Sequence, residues 1–261
     1  MKKIVKQQPT FLDYLKQTFW QFIDHVKINK KILLIAIYDL IFWLLFFGTS
    51  YVISTFIKKE TSMLGTVNFN QFQILTSQEL TETNLVLIKT FLIKSAIILL
   101  IFFLTSLVIY SIAKALIWLT LFNKKPTKEF MAGFIKIHFI WWILWTLPIL
   151  FSLIGAQPEW RNYFVIFFFF FYLHSTTILQ TVYTQKCEMK EAFTSVLNKG
   201  IAKIHKFILP YAFALIIYFL LTRILLLLPR ASAALLASAI IIGLIYISWF
   251  RYYIKDVILE A

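Results

Sequence analysis

Apolar residues in this chain arrive in long runs, separated by shorter polar segments rich in lysine. Runs of about 20 residues cross a hydrocarbon layer of about 30 Å at 1.5 Å per residue, so each is expected to be a membrane-spanning helix. Six are predicted, at about residues 32–57, 95–121, 134–155, 163–183, 207–228 and 231–250. The polar segment 58–84 between the first two reads as an external loop, with a short helix starting near Ser77. Apolar sequence resumes at Leu85, so the extra turns carrying Lys89 and Lys94 are expected to project beyond the outer interface. Asn123-Lys124-Lys125-Pro126 ends the second span. Pro148 in the third is tolerable if neighbours satisfy the freed carbonyl.

Other segments follow an amphipathic helix period. From Thr10 to Ile28, Phe11, Leu15, Phe19, Phe22 and Val26 recur at three- and four-residue spacing, with Asp13, Lys16, Gln21 and Asp24 opposite. That pattern is too charged to span and too apolar to float free, so residues 10–31 are predicted to lie in the interface. Met189, Ala192, Phe193, Val196, Leu197, Ile201 and Ile204 form a second such face ahead of the fifth span. A weaker version starts at Thr127. Lys128-Glu129-Phe130 aligns with Lys190-Glu191-Ala192-Phe193, and Lys136-Ile137-His138-Phe139 with Lys203-Ile204-His205-Lys206-Phe207. The predicted fold is therefore all-α, a single polytopic membrane domain over 1–261. It repeats an amphipathic elbow helix plus a membrane hairpin three times.

Composition supports this class. Of 261 residues, 60% are hydrophobic and 15% charged, with a mean hydropathy of +0.79, whereas soluble domains are about half apolar and about a quarter charged. The net charge of +14 does not indicate nucleic acid, because the basic residues lie between apolar runs rather than on one folded surface. They concentrate in segments 1–31, 122–137, 185–206 and 251–261, against Lys58, Lys59, Lys89, Lys94, Arg161, Arg223 and Arg230 on the other side. The positive-inside rule then predicts a multi-pass cell-membrane protein with both termini cytoplasmic, facing anionic headgroups. No apolar run precedes Ile32, so the first span is expected to act as an uncleaved signal anchor. Abundant Ile, Phe and Lys with few Gly fit an AT-rich prokaryotic genome.

The candidate chemistry is intramembrane. Asp39 in the first span and Lys114 in the second each lie about two turns from the cytoplasmic edge, roughly 12 Å deep. His174 is close to that level, and His174, Thr177, Thr181 and Thr184 recur at helix spacing with Gln180 beside them. An Asp39–Lys114 pair with His174 nearby is expected, either lining a polar cavity or fixing helix register. His25, His138 and His205 fall at the predicted elbows, where a histidine is ordinarily a headgroup-level residue. The single Cys187 provides neither a disulfide nor a cysteine-rich metal site. No zinc-protease, nucleophile-elbow or phosphate-loop motif occurs, so no catalytic residue, metal or cofactor is expected. The small residues Ala231 to Ala234 and Ala237 to Ala239 make span 6 the best close-packing candidate.

The alternation of lysine-rich elbow and hairpin, closed by Trp249-Phe250-Arg251-Tyr252-Tyr253 in the interface, resembles uncharacterised six-span prokaryotic membrane families. These include proteins similar to the membrane domain attached to some glycerophosphodiester phosphodiesterases. The resemblance implies a six-span fold and carries no active site, since the soluble phosphodiesterase domain is absent. The expected function is a non-catalytic membrane-organising or accessory protein, acting with a protein partner or as a homo-oligomer. The alternative is a small transporter or channel subunit using Asp39, Lys114 and His174.

Overall fold

The computed structural model describes residues 11–25, 29–64, 78–155, 157–226 and 233–261. The order is α1 (Phe11–His25), α2 (Lys30–Leu64), α3 (Gln78–Leu121), α4 (Lys128–Leu150), α5 (Pro158–Lys186), α6 (Met189–Ser195), α7 (His205–Leu226) and α8 (Ala233–Glu260). Five-residue π turns prolong α4 over Phe151–Gly155, and a π segment Val196–Ile201 prolongs α6. Among the described residues there is no strand. Six helices are long and apolar enough to cross a membrane: α2, α3, α4, α5, α7 and α8. The fold is all-α and polytopic. The basic tail 1–9, the turn at Pro229-Arg230 and residues 65–77 of the predicted loop lie outside the described residues, as do the side chains of Ala231 to Ala234.

Several boundaries move, each for a local reason. Helix α2 continues past Ile57 to Leu64, and α3 runs without a break from Gln78 into its span. The helix expected near Ser77 is thus the first turns of a 44-residue helix, roughly 66 Å long. The elbow predicted from Thr127 is not a separate helix. Thr127 does cap α4, its Oγ1 accepting from Phe130 N–H at 3.2 Å. From there α4 passes straight through Lys136-Ile137-His138 and buries Phe130, Phe134, Ile137, His138 and Trp141 on one stripe. His138 is therefore a fully buried residue, not a headgroup-level one. The segment Arg251–Asp256, expected as a closing tail, is likewise part of a continuous helix, α8. Tyr253, Ile254, Val257 and Ile258 continue an i, i+4 apolar stripe, and α8 buries all four.

The chain divides into two compact units, Ile41–Ala113 and the remainder, Met1–Leu40 with Lys114–Ala261. In the first, Phe42 stacks on Phe46 and meets Tyr110 edge-on, while Lys94 pairs with Glu60 at 3.2 Å. That pairing joins the C-terminal part of α2 to the N-terminal half of α3 by charge. The second unit holds the core, built on Ile32, Ile35, Trp118, Phe134, Ile178, Phe207, Tyr253 and Ile254. Its buried residues come from the helix ends predicted to be cytoplasmic. The N-terminal half of α5 leaves Phe164, Phe167 and Phe170 uncovered, as the C-terminal half of α7 does Phe219 and Ile224. Hydrocarbon would solvate those rings as well as protein does.

In the second unit, lysines serve as caps as well as topology signals. Lys124 Nζ donates to the carbonyls of Thr184 and Gln185, both at 2.7 Å, closing the C-terminus of α5. Lys199 Nζ donates to Ile258 O at 2.8 Å, and Lys203 Nζ to Ala261 O. Each cation meets the negative end of a helix dipole and satisfies carbonyls that have no intrahelical donor.

Helix α1 docks on α7 and α8. Gln21 Nε2 donates to Glu260 Oε2 at 2.6 Å, and Trp249 Nε1 to His25 O at 2.8 Å. His25 Nδ1 lies 2.6 Å from Gln21 O and Nε2 lies 2.8 Å from Asp256 Oδ2. Both partners accept only, so the geometry calls for the doubly protonated ring. The Asp256 hydrogen bond raises the His25 pKa above its ordinary 6.5, outweighing burial and Lys255 nearby. The folded value exceeding the unfolded one, this clasp is fully present below about pH 6.5 and fades as pH rises through the folded value. Hydrogen exchange should therefore show α1 losing protection relative to α4 on going alkaline, an effect absent in His25→Gln. Equal pH response in both proteins would remove the clasp from the account.

Candidate functional site

Asp39 stands in the third turn of α2, within its apolar run, where a lone carboxylate costs a few kcal/mol. It is 2% exposed. Oδ1 accepts from Lys114 Nζ of α3 at 2.8 Å, and Oδ2 accepts from Arg251 Nη1 of α8. Three helices are thus tied by one carboxylate, with two cations on it and a net charge of +1. The pair expected from the sequence forms, and the structure adds Arg251 as its third member. Sequence reasoning missed Arg251 by ending the last span at Phe250. The unbroken apolar stripe to Ile258 is the signal that would have kept Arg251 inside a helix.

A neutral ladder shares α3 with this cluster and continues onto α5 and α4. Lys114 and Trp118 are one turn apart on α3. Trp118 Nε1 donates to Gln180 Oε1 of α5 at 2.7 Å, and Gln180 Nε2 lies 2.7 Å from His138 Nε2 of α4. His138 Nδ1 reaches Phe134 O at 2.7 Å. A carbonyl can only accept, so Nδ1 carries the proton and Nε2 accepts from the Gln180 amide. One donor–acceptor sequence then fixes the indole, the amide and the imidazole together. Trp141 Nε1 repeats the device one turn further along α4, donating to Thr176 Oγ1 at 2.8 Å.

His174 belongs elsewhere. Its Nε2 lies 3.1 Å from Gly200 O and its Nδ1 2.6 Å from Tyr211 OH. The carbonyl again dictates the tautomer: Nε2–H donates to Gly200 O, and Tyr211 donates to Nδ1. The π segment of α6 makes this possible, because Ala202 N–H bonds back to Leu197 O and turns the Gly200 carbonyl towards α5. Gly200 sits so close that an added Cβ would meet Ile178 Cδ1 at 3.1 Å. His174 therefore anchors the α6 elbow to α5 and α7; its hydrogen bonds go to neither Asp39 nor Lys114.

The threonine stripe is partly inward. Thr181, Thr184 and Gln180 are buried, whereas Thr177 is half-buried. Thr177 Oγ1 donates to Leu173 O and Thr181 Oγ1 to Thr177 O, so both hydroxyl protons are used within α5. In span 6, Ala237 is exposed and Ser238 and Ala239 are half-buried, so these three small residues are not closely packed within the chain.

An apolar groove runs between α5, α7 and α8 beside His174. Its volume is about 530 Å³. Phe167, Phe170, Ile208, Leu215 and Phe250 line it, with His174, Thr177 and Tyr211 as its polar wall. Among the described residues no group of three or more His, Cys, Asp or Glu is placed to hold a metal ion. In comparisons with family models, curated proteins and solved structures, the chain matches none.

Proposed function

We propose that this is a non-catalytic membrane-organising or accessory protein whose elbow helices lie in the anionic leaflet on the side of its basic segments. One observation carries the reading. Both elbow segments turn an apolar strip outward that no protein covers: Phe19, Trp20 and Ile23 on α1, and Leu197, Ile201 and Ile204 after α6. Lysines 16, 199 and 203 flank these strips. A docked helix with an uncovered apolar edge and basic neighbours is built to sit at the boundary of headgroups and acyl chains. The positive-inside bias makes that leaflet the cytoplasmic one.

The test is native mass spectrometry of protein released from nanodiscs of mixed phosphatidylglycerol and phosphatidylcholine. The co-released lipid should be enriched in phosphatidylglycerol, to the same degree in the wild type, Asp39→Asn and Lys114→Met. Co-release at the nanodisc ratio would remove this reading.

A second reading, a small transporter or channel subunit, is favoured by the buried cluster of Asp39, Lys114 and Arg251, since intramembrane charges commonly mark ion and substrate paths. It would be supported by a small molecule retained in the wild type and lost in both variants.

A further inference from the structure

Three features of the groove between α5, α7 and α8 fit one kind of occupant. The first is its direction. Along α7 it is lined from Ile204, at the elbow, down to Leu215, and along α5 from Thr177 down to Phe167. Both paths span about 15 Å at 1.5 Å per residue, half of a hydrocarbon layer of about 30 Å. The groove therefore has the depth of one leaflet.

The second is its polarity gradient. Thr177, His174 and Tyr211 form a polar band partway down, with Ile204 and Ile208 on its elbow side and Phe167, Phe170 and Leu215 at the deep end. Tyr211 gives its proton to His174 Nδ1, which leaves hydroxyl lone pairs at the groove wall. Tyr246 at the deep end has its hydroxyl turned away, donating to Ala214 O at 2.8 Å. An occupant would meet polar atoms at that band and only rings and alkyl groups below it.

The third is charge at the mouth. Ile204, the outermost lining residue, sits in the run Lys203-Ile204-His205-Lys206. Lys199 is one turn earlier, and its pKa is lowered by burial and by the charges of Lys203, Lys186 and Lys206. Lys203 and Lys206 thus bracket the outermost lining residue in sequence and both repel Lys199, whereas Lys186 is paired with Glu191. Lys199 places one hydrogen bond on Ile258 O of α8 and Lys203 one on Ala261 O just after it, and an ammonium has three donors. An anion at this mouth would relieve the repulsion.

From this charge complementarity, depth and gradient we propose that the groove is a binding site for one anionic phospholipid. One acyl chain fills the space between α5, α7 and α8, and the phosphate is held by Lys203 and Lys206 at the elbow. Its volume falls within the roughly 300–1,000 Å³ of small-molecule sites, and basic pockets at the cytoplasmic ends of membrane helices are suited to such headgroups. The inference deepens the leaflet reading above and rests on it for the identity of the leaflet.

The experiment uses the full chain in nanodiscs of equal phosphatidylglycerol and phosphatidylcholine, with native mass spectra recorded at rising collision energy. The wild type should keep one phosphatidylglycerol after bulk lipid is stripped. Lys203→Gln/Lys206→Gln should cut the singly occupied fraction about tenfold, and Ile208→Trp, which adds bulk to a 65% exposed lining position, should do the same. Ile224→Trp, on the same helix outside the groove, should leave it unchanged and serves as the folding control. A retained lipid of either headgroup in equal amounts overturns the proposal. So does a retained phosphatidylglycerol that Ile208→Trp does not touch. Bulk enrichment of phosphatidylglycerol without any retained single lipid would sink the site and leave the leaflet reading standing.

Discussion

Asp39→Asn should destabilise the protein by about 3–5 kcal/mol, the largest effect of any single change in the charge cluster. The carboxylate accepts from Lys114 and Arg251 at once. An amide in its place leaves two cations facing each other in a largely buried site. Lys114→Met is expected to cost much less, roughly 1–2 kcal/mol, because the Asp39–Arg251 pair that remains is neutral overall. The double variant should then be more stable than Asp39→Asn alone, since removing Lys114 also removes the repulsion that Asn creates. Such a sign of coupling is diagnostic. Thermal unfolding followed by tryptophan fluorescence in a fixed lipid composition measures all three. Losses that simply add would show that the three groups do not act as one cluster.

The second large effect is expected at Gln180. Its side chain joins a donor on Trp118 to an acceptor on His138 in a core where both rings are buried. Gln180→Met keeps the length and volume and takes away both hydrogen bonds. The indole N–H and the imidazole nitrogen each lose a partner that water cannot easily replace, so the loss should be about 2–5 kcal/mol. His138→Phe in the same background should recover part of it, because it removes one of the two stranded groups. A Gln180→Met protein as stable as the wild type would mean that the ladder contributes nothing to holding α3, α4 and α5 together.

Both predictions rest on residues that the sequence reaches to different degrees. Asp39 and Lys114 could be paired from their positions alone. Hydropathy places each span, the rise per residue converts position into depth, and two opposite charges at one depth in a hydrocarbon layer have few other partners. Arg251 was hidden by an assumed span end. His138 resembled an elbow residue because Lys136 and Lys128 stand beside it in the sequence, yet both lysines can lie on the outer face of a continuous α4 while His138 turns inward. His174 was placed near the right depth but given the wrong neighbours. Depth is a one-dimensional quantity, whereas neighbours depend on how each helix is rotated about its axis.

That distinction marks what the sequence by itself determined. The long apolar runs, the amphipathic period of α1 and α6 and the lysine-rich segments were enough for an all-α membrane protein with six spanning helices. These are properties of how each segment meets lipid and water, and a segment carries them alone. The third partner of Asp39, the Trp118–Gln180–His138 ladder, the π turn that aims Gly200 O at His174 and the groove between α5, α7 and α8 were decided only in the folded chain. In these spans the apolar residues run almost all the way round each helix, so no strong moment fixes which face turns inward. Side-chain packing and a few buried hydrogen bonds make that choice, and both exist only once the helices have met.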